Sequence, residues 1–274
     1  MQKLIIGDIT SLYYSIIHYY NKESNETDNF KKYKNKFDEW LQSMIDDTKA
    51  TEYLLYDDDS TTFRHKLFPD FKANRKSIYL KFRYDLMKYA REKWGIKQHL
   101  GIESDDLVNI AVNKYKNAII CHIDSDLDQI EGNHYNYLYR GKGWANGFYT
   151  IDKSTAEFNL NKMVISTGHN GPDKGLPNCG DKTAEAYLKA SNDLLGAFIN
   201  GIDKKDYPDI WRTVKGYGIT IGVNEFYRNF LIAKLLDTEE EANYWLDKFG
   251  FNLLNEDLFI PTTIKKQING AENW

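Results

Sequence analysis

Carboxylates recur in this chain where apolar runs stop. Asp8 follows LIIG, Asp57 follows YLLY, and Asp124, Asp126 and Asp128 lie in AIICHIDSDLDQI. A further group, Glu103, Asp105 and Asp106 in GIESDDLVNIAV, opens a helical pattern in which Glu103 and Asp106 are three apart and share a face. Taken singly, each has a plain explanation. Asp8 suits a turn or cap, Asp58 and Asp59 a solvated turn, Asp128 the solvated start of a helix, and Glu103–Asp106 the dipole of a helix N-terminus. Taken together, they point to one place, because groups at the carboxyl ends of parallel strands converge on a common crevice. Packed carboxylates raise one another's pKa values, and hard divalent cations with oxygen ligands relieve that repulsion. A Mg²⁺ site, with Mn²⁺ as a possible substitute, is the economical reading.

Cations follow close behind. In FPDFKANRKS, Lys72, Arg75 and Lys76 come just downstream of the Asp57 turn and could face a phosphate, Arg by two-point contact and Lys as a point charge. A solvated surface patch is the alternative. GLPNCGDKTAEAYL places Gly175 and Gly180 at the ends of a tight turn before an Ala-rich helix. Such a turn presents backbone N–H groups to a phosphate, with Lys182 adding charge; an ordinary helix–turn–helix packing unit is the rival.

The elements that would position these groups read as α/β. Strand-like runs at Lys3–Gly7, Tyr53–Tyr56, Ala118–Ile123 and Met163–Ser166 alternate with helical patterns such as Phe37–Lys49 and Leu107–Tyr115. Tyr135–Tyr149 reads as a hairpin or edge ribbon, and after Ser154 the pattern turns mainly helical. The expected division is a catalytic α/β region over 1–155 and a helical region over 156–274, packed as one unit. The chain has 274 residues, 42% of them hydrophobic, enough to bury a core. A net charge of −4 gives no overall basic field, so nucleic acid would have to be met by local patches. Cys121 and Cys179 fall in no metal-ligand spacing and suit free thiols in a reducing compartment. With no signal peptide and no run near the roughly 20 apolar residues of a membrane span, a soluble cytoplasmic monomer is expected.

The order Asp8, Asp57, FKANR, GIESDD, DSDLDQI and GLPNCGDKTA resembles the 5′ nuclease family, the flap endonucleases and 5′→3′ exonucleases, especially its small bacteriophage members, over about residues 4 to 190. The resemblance implies a PIN-like, mostly parallel sheet, a helix-hairpin-helix variant that grips duplex DNA, and Mg²⁺-dependent phosphodiester hydrolysis. Its substrates would be duplex DNA with a 5′ flap, nick or end, or RNA-primed DNA, with replication proteins as further partners. By resemblance, Asp8, Asp57, Glu103, Asp105, Asp106, Asp124 and Asp126 correspond to metal carboxylates, Lys72 and Arg75 to the pair at the scissile phosphate, and Gly175, Gly180, Lys182 and Thr183 to the duplex-holding hairpin.

The sequence departs from the family in three places. Relatives carry an Asp pair before the hairpin; here TGHNGPDKG has His169 at the first position and only Asp173 as a candidate for the second, so the second metal site rests on Asp173. Asn178 replaces a turn glycine, an exchange that Asn's tolerance of positive φ softens. Only residues 76–102, 27 in all, separate Arg75 from Glu103, and most of them read as one amphipathic helix, so the arch of relatives would be short. Phe71, Tyr79 and Phe82 could stack on an unpaired base or face the core. A structure-selective DNA-binding protein with impaired catalysis and a PIN-type ribonuclease are the rival readings.

Overall fold

The computed structural model describes residues 3–23, 30–58, 61–69, 71–72, 82–138, 147–166, 176, 179–191 and 227–264. Six strands form one sheet in the order β5-β4-β3-β1-β2-β6, comprising β1 (Leu4–Asp8), β2 (Glu52–Tyr56), β3 (Ile119–His122), β4 (Gly132–Asn136), β5 (Phe148–Ile151) and β6 (Thr262–Thr263). The central pairs β1–β2, β1–β3 and β3–β4 are parallel, and only the edge strands β5 and β6 run antiparallel. Parallel strands need crossovers. These are supplied by α1 (Thr10–Glu23) and α2 (Phe30–Thr48) between β1 and β2, and by α3 (Phe63–Leu67), α4 (Arg83–Trp94) and α5 (Ser104–Lys114) between β2 and β3.

Both sheet faces are apolar because side chains alternate along each strand. Ile5, Tyr53, Leu55 and Cys121 face a core built with Tyr13, Phe37, Leu41 and Leu86 of α1, α2 and α4. Ile6, Leu54, Tyr56 and Ile120 face the other core, with Leu107, Val108 and Ala111 of α5. Leu235, Leu236, Leu246 and Phe259 join that second core, so the described residues from 227 onward pack on this sheet. Tyr56 there donates to the Leu258 carbonyl at 2.9 Å, and β6 pairs with β2.

The expected strand at Met163–Ser166 is a helix instead. Asp152 caps α6 (Lys153–Ile165) by accepting from the Thr155 N–H at 2.7 Å, and the apolar run is its buried last turn. A four-residue apolar run cannot by itself distinguish a strand from a buried helix end. The expected ribbon over Tyr135–Tyr149 is the β4–β5 pair, starting three residues earlier at Gly132. The other expected strands are β1, β2 and β3, each end within one residue of its expected place, and the expected helices are α2 and α5, which start upstream of their patterns and end one residue short of them. Cys121 and Cys179 are buried thiols. Among the described residues, no helix is long and apolar enough to cross a membrane.

Gly7 sits where β1 runs beside β3, one residue before the first strand-end carboxylate. A Cβ there would lie 2.3 Å from the Cys121 carbonyl oxygen, a backbone atom that cannot swing aside. Gly7→Ala should therefore push β1 from β3 and lower stability by about 1–3 kcal/mol, the usual cost of overpacking. Urea unfolding of both proteins measures this, and an unchanged midpoint would contradict the close approach.

Candidate active site

The parallel register brings Asp8 level with Tyr56, and Gly7 level with Cys121. The residues just beyond these strand ends, Asp57 and Asp58 after β2 and Asp124 after β3, therefore meet Asp8 on one edge of the sheet. There Asp8 Oδ1 accepts from the Thr10 N–H at 3.0 Å and lies 2.8 Å from Ser104 Oγ. Asp58 Oδ1 accepts from the Ser104 N–H at 2.7 Å and lies 2.7 Å from the same hydroxyl. One hydroxyl proton cannot serve two carboxylates, so Ser104 marks where two acids crowd together.

Asp105 is the centre of that crowding. Burial, then the charges of Asp8, Asp124, Asp58 and Asp126, push its carboxyl far above the usual range. Its Oδ1 is buried and meets no hydrogen-bond donor among the described residues. Burial and Asp58 raise Asp8 to about 7. Burial and Glu103 raise Asp58. An unsatisfied buried carboxylate oxygen costs free energy that a hydrogen bond or a cation would recover. The donors here are all hard oxygens, which suit a Mg²⁺- or Mn²⁺-like ion. The residues fit a divalent cation.

Not every expected ligand belongs to this group. Asp57 does not: its carboxylate is held by Arg91, with Nε 3.1 Å from Oδ2 and a terminal nitrogen 3.1 Å from Oδ1, and it accepts from the Tyr13 hydroxyl at 3.1 Å. The neighbouring Asp58, read from sequence as a solvated turn, faces the cluster instead. Asp106 is also diverted. It is fully buried, gripped at both oxygens by Arg64, and accepts the Leu236 N–H at 2.9 Å. Glu103 stands between the two sets, ion-paired with Lys72 and Arg64. Against the upward push of burial, those two cations draw it down to about 2.

Arg64 is the organiser that sequence reasoning missed. It is buried, donates to the carbonyls of Leu231 and Lys234 at 3.2 and 2.8 Å, and so ties α3 and α5 to the helical stretch over 227–233. Its partners lie about 40 and 170 positions away, and no local pattern in TTFRH announces them. Gln129 makes the second tie, donating to the Asp126 and Ala233 carbonyls at 2.9 and 3.0 Å. This link fixes the short 3-10 turn Ser125–Gln129 that carries Asp126, while Asp124 caps that turn by accepting from the Asp126 N–H at 3.0 Å.

Among the expected phosphate-facing groups, Lys72 sits beside Glu103 with its ammonium 4.9 Å from the Phe71 ring centre. Phe71 is buried edge-on to His65, and Phe82 packs on Phe30 and Tyr33, so both face protein rather than an open gateway. Gly180 is the N-cap of α7 (Asp181–Lys189), which packs on α6, and Lys182 is exposed on its first turn beside half-buried Thr183. Arg75, Lys76, Tyr79, His169, Asp173, Gly175 and Asn178 lie outside the described residues.

A family model described as the 5′-3′ exonuclease N-terminal resolvase-like domain matches residues 3–161. A 5′-3′ exonuclease of Buchnera aphidicola subsp. Schizaphis graminum is 24% identical over 238 residues, covering 81% of this chain and 77% of that protein. DNA polymerase I of Bacillus subtilis is 26% identical over 217 residues, 72% of this chain but only 23% of the polymerase. Among solved structures, the T5 5′-exonuclease with bound zinc superposes with a TM-score of 0.62 at 16% identity, covering 94% of this chain and 96% of its own. The catalytic core of Rad2 with a DNA substrate gives a TM-score of 0.53 at 10% identity, covering 96% and 82%. These structures share the fold.

The raised carboxyls fix a sign. Asp8 moves from 3.8 to about 7 and Asp105 moves the same way, so between those limits the folded chain holds more protons than the unfolded one. Their contribution to stability is present at low pH and is lost as pH rises through about 7. Buried His122 and His134, pushed down to about 4, act in the opposite direction as pH falls below about 6.5, so the comparison is made between the wild-type chain and Asp105→Asn, in which they cancel. Without divalent metal, Asp105→Asn should raise the melting temperature, and by more at about pH 8 than at about pH 5.5; calorimetry in chelator checks this, and a variant less stable than wild type at about pH 8, or a gain that shrinks toward that pH, would contradict the crowding.

Proposed function

The chain belongs to the 5′–3′ exonuclease family, and from that premise we propose that it is a metal-dependent, structure-selective 5′ nuclease that hydrolyses phosphodiesters near the 5′ ends of duplex DNA or of RNA primers. The observation that carries the reading is the unpartnered Asp105 oxygen within the field of Asp8, Asp58, Asp124 and Asp126, at the carboxyl ends of parallel strands. Those five carboxylates would hold the cation, with Mg²⁺ the natural choice for an all-oxygen set and Mn²⁺ its substitute. When bound, such ions supply Lewis acidity toward the phosphoryl oxygens and lower the pKa of attacking water.

The chain's own groups then do the positioning. Lys72 and Arg75 would offset charge on the scissile phosphate, Lys72 by turning from Glu103 toward the substrate. Lys76 would meet the adjoining backbone. Gly175, Gly180, Lys182 and Thr183 would hold the duplex away from the chemistry, since phosphate contacts set register without reading sequence. A complex of the bacteriophage T5 flap endonuclease with DNA and metal ions, whose fold this chain shares at a TM-score of 0.59 and 15% identity over 94% of this chain and 95% of its own, supports DNA as substrate. A replicative role in the cytoplasm is part of the same proposal.

Cleavage of a 5′-labelled flap duplex and a matched RNA-primed duplex, with Mg²⁺ or with EDTA, tests the reading. Metal-dependent products should appear, and Asp124→Ala should lower their rate by more than about 100-fold, beyond what losing an outer partner of a metal ligand costs. Tight binding without cleavage in Mg²⁺ or Mn²⁺ would sink it. A Cβ on Gly180 would meet no atom within 4 Å, so Gly180→Ala should keep wild-type stability and weaken duplex binding. Unchanged duplex affinity would remove Gly180 from the DNA-holding role.

A further inference from the structure

Behind the catalytic edge, two imidazoles meet in the sheet interior. His122 ends β3, His134 lies mid-strand in β4, and both are buried. His122 Nδ1 is 2.6 Å from the Asp124 carbonyl oxygen, and His134 Nε2 is 2.9 Å from that of Ile130. A carbonyl only accepts, so each ring carries its proton on that nitrogen. The two remaining nitrogens, His122 Nε2 and His134 Nδ1, then present lone pairs to each other across 2.8 Å. Two acceptors at hydrogen-bond distance repel unless a cation stands between them.

Two oxygens complete the group. Asp128 Oδ1 is 3.8 Å from His122 Nε2, and the ligand atoms of His122, Asp128 and His134 all lie within 4.8 Å of one another. The Tyr149 hydroxyl is 2.7 Å from Asp128 Oδ1 and 3.1 Å from His122 Nε2, and its single proton can serve only one of them. A lone proton between the rings would leave Asp128 Oδ1 3.8 Å from His122 Nε2, beyond a hydrogen bond. A four-coordinate ion with bonds of about 2.0–2.1 Å has its ligand atoms about 3.3 Å apart, a spacing that the observed 2.8 and 3.8 Å bracket.

We propose that His122, His134 and Asp128 bind a divalent cation of the Zn²⁺ class, with Tyr149 fixing the Asp128 carboxylate, at a site distinct from the carboxylate cluster. The nitrogen donors sort the ions: imidazole suits Zn²⁺ and its transition-metal neighbours, whereas the all-oxygen cluster suits Mg²⁺. The ion would clamp β3, β4 and the 3-10 turn together, with β5 joined through Tyr149. It would also hold His122 against the Asp124 carbonyl, and so brace the turn that carries Asp124 and Asp126.

The test is titration of the full, EDTA-stripped chain with Co²⁺, whose four-coordinate complexes absorb visible light far more strongly than octahedral ones held by carboxylates. One equivalent should develop that absorption and Zn²⁺ should displace it. Asp105→Asn should retain the band, whereas Asp128→Asn and His134→Gln should lose it. Tyr149→Phe should weaken Co²⁺ binding by about 10- to 100-fold, the usual effect of removing a ligand's outer partner. If His134→Gln fails to fold by circular dichroism, Asp128→Asn decides, because its side chain is partly exposed. No band in the wild-type chain, a band that survives Asp128→Asn, or one that disappears with Asp105→Asn would overturn the proposal.

Discussion

Like charges packed at a sheet edge repel, and most of the surrounding structure serves to confine that repulsion to a small volume. The outer acids are paired with the protein's own cations: Asp57 with Arg91, although burial still holds its carboxyl up at about 6, Asp106 with Arg64, and Glu103 with both Arg64 and Lys72. The inner acids Asp8, Asp58 and Asp105 have raised carboxyls, with Asp124 and Asp126 adding to the field on Asp105. Breaking a buried pair such as Arg64–Asp106 costs about 3–5 kcal/mol, a large share of the roughly 5–15 kcal/mol that holds a typical domain together. The fold thus commits its buried guanidinium to the rim and leaves the centre for a cation from solution.

The same network explains why the C-terminal region packs where it does. Arg64 and Gln129 reach the carbonyls of Leu231, Ala233 and Lys234, and the Asp106 carboxylate receives the Leu236 N–H. Polar groups so placed must be satisfied once Leu235 and Leu236 bury themselves in the second core. The acidic edge is therefore braced from the helical side, where α7, packed on α6, carries Gly180 at its N-cap and Lys182 on its first turn. Oxygen donors at the edge and nitrogen donors behind it give two centres of different ligand chemistry along one short segment, from His122 to Asp128.

Much of this was legible from residue order. The strand-end rule located Asp8 and Asp124, and the apolar periodicities located α2 and α5, because each signal is local and repeats along the chain. Apart from the short run at Met163–Ser166, what the order of residues did not announce depends on partners distant in sequence. Which of Asp57 and Asp58 faces the cluster depends on where Arg91 lies on α4, and the Asp106 carboxylate is held at both oxygens by Arg64. Ser104 reads as a helix-start residue until its hydroxyl is seen between two acids. The meeting of His122 and His134 needs the parallel β3–β4 register, which no single run of residues specifies.

The most direct test of the central claim is Mg²⁺ binding followed by calorimetry at about pH 6.5 in buffers of different ionisation enthalpy. Asp8 and Asp105 must lose protons to ligate an ion, so binding should release protons in the wild-type chain and fewer in Asp105→Asn. Mg²⁺ binding with no net proton release, or equal release from the variant, would show that the cluster is already ionised and would contradict the account.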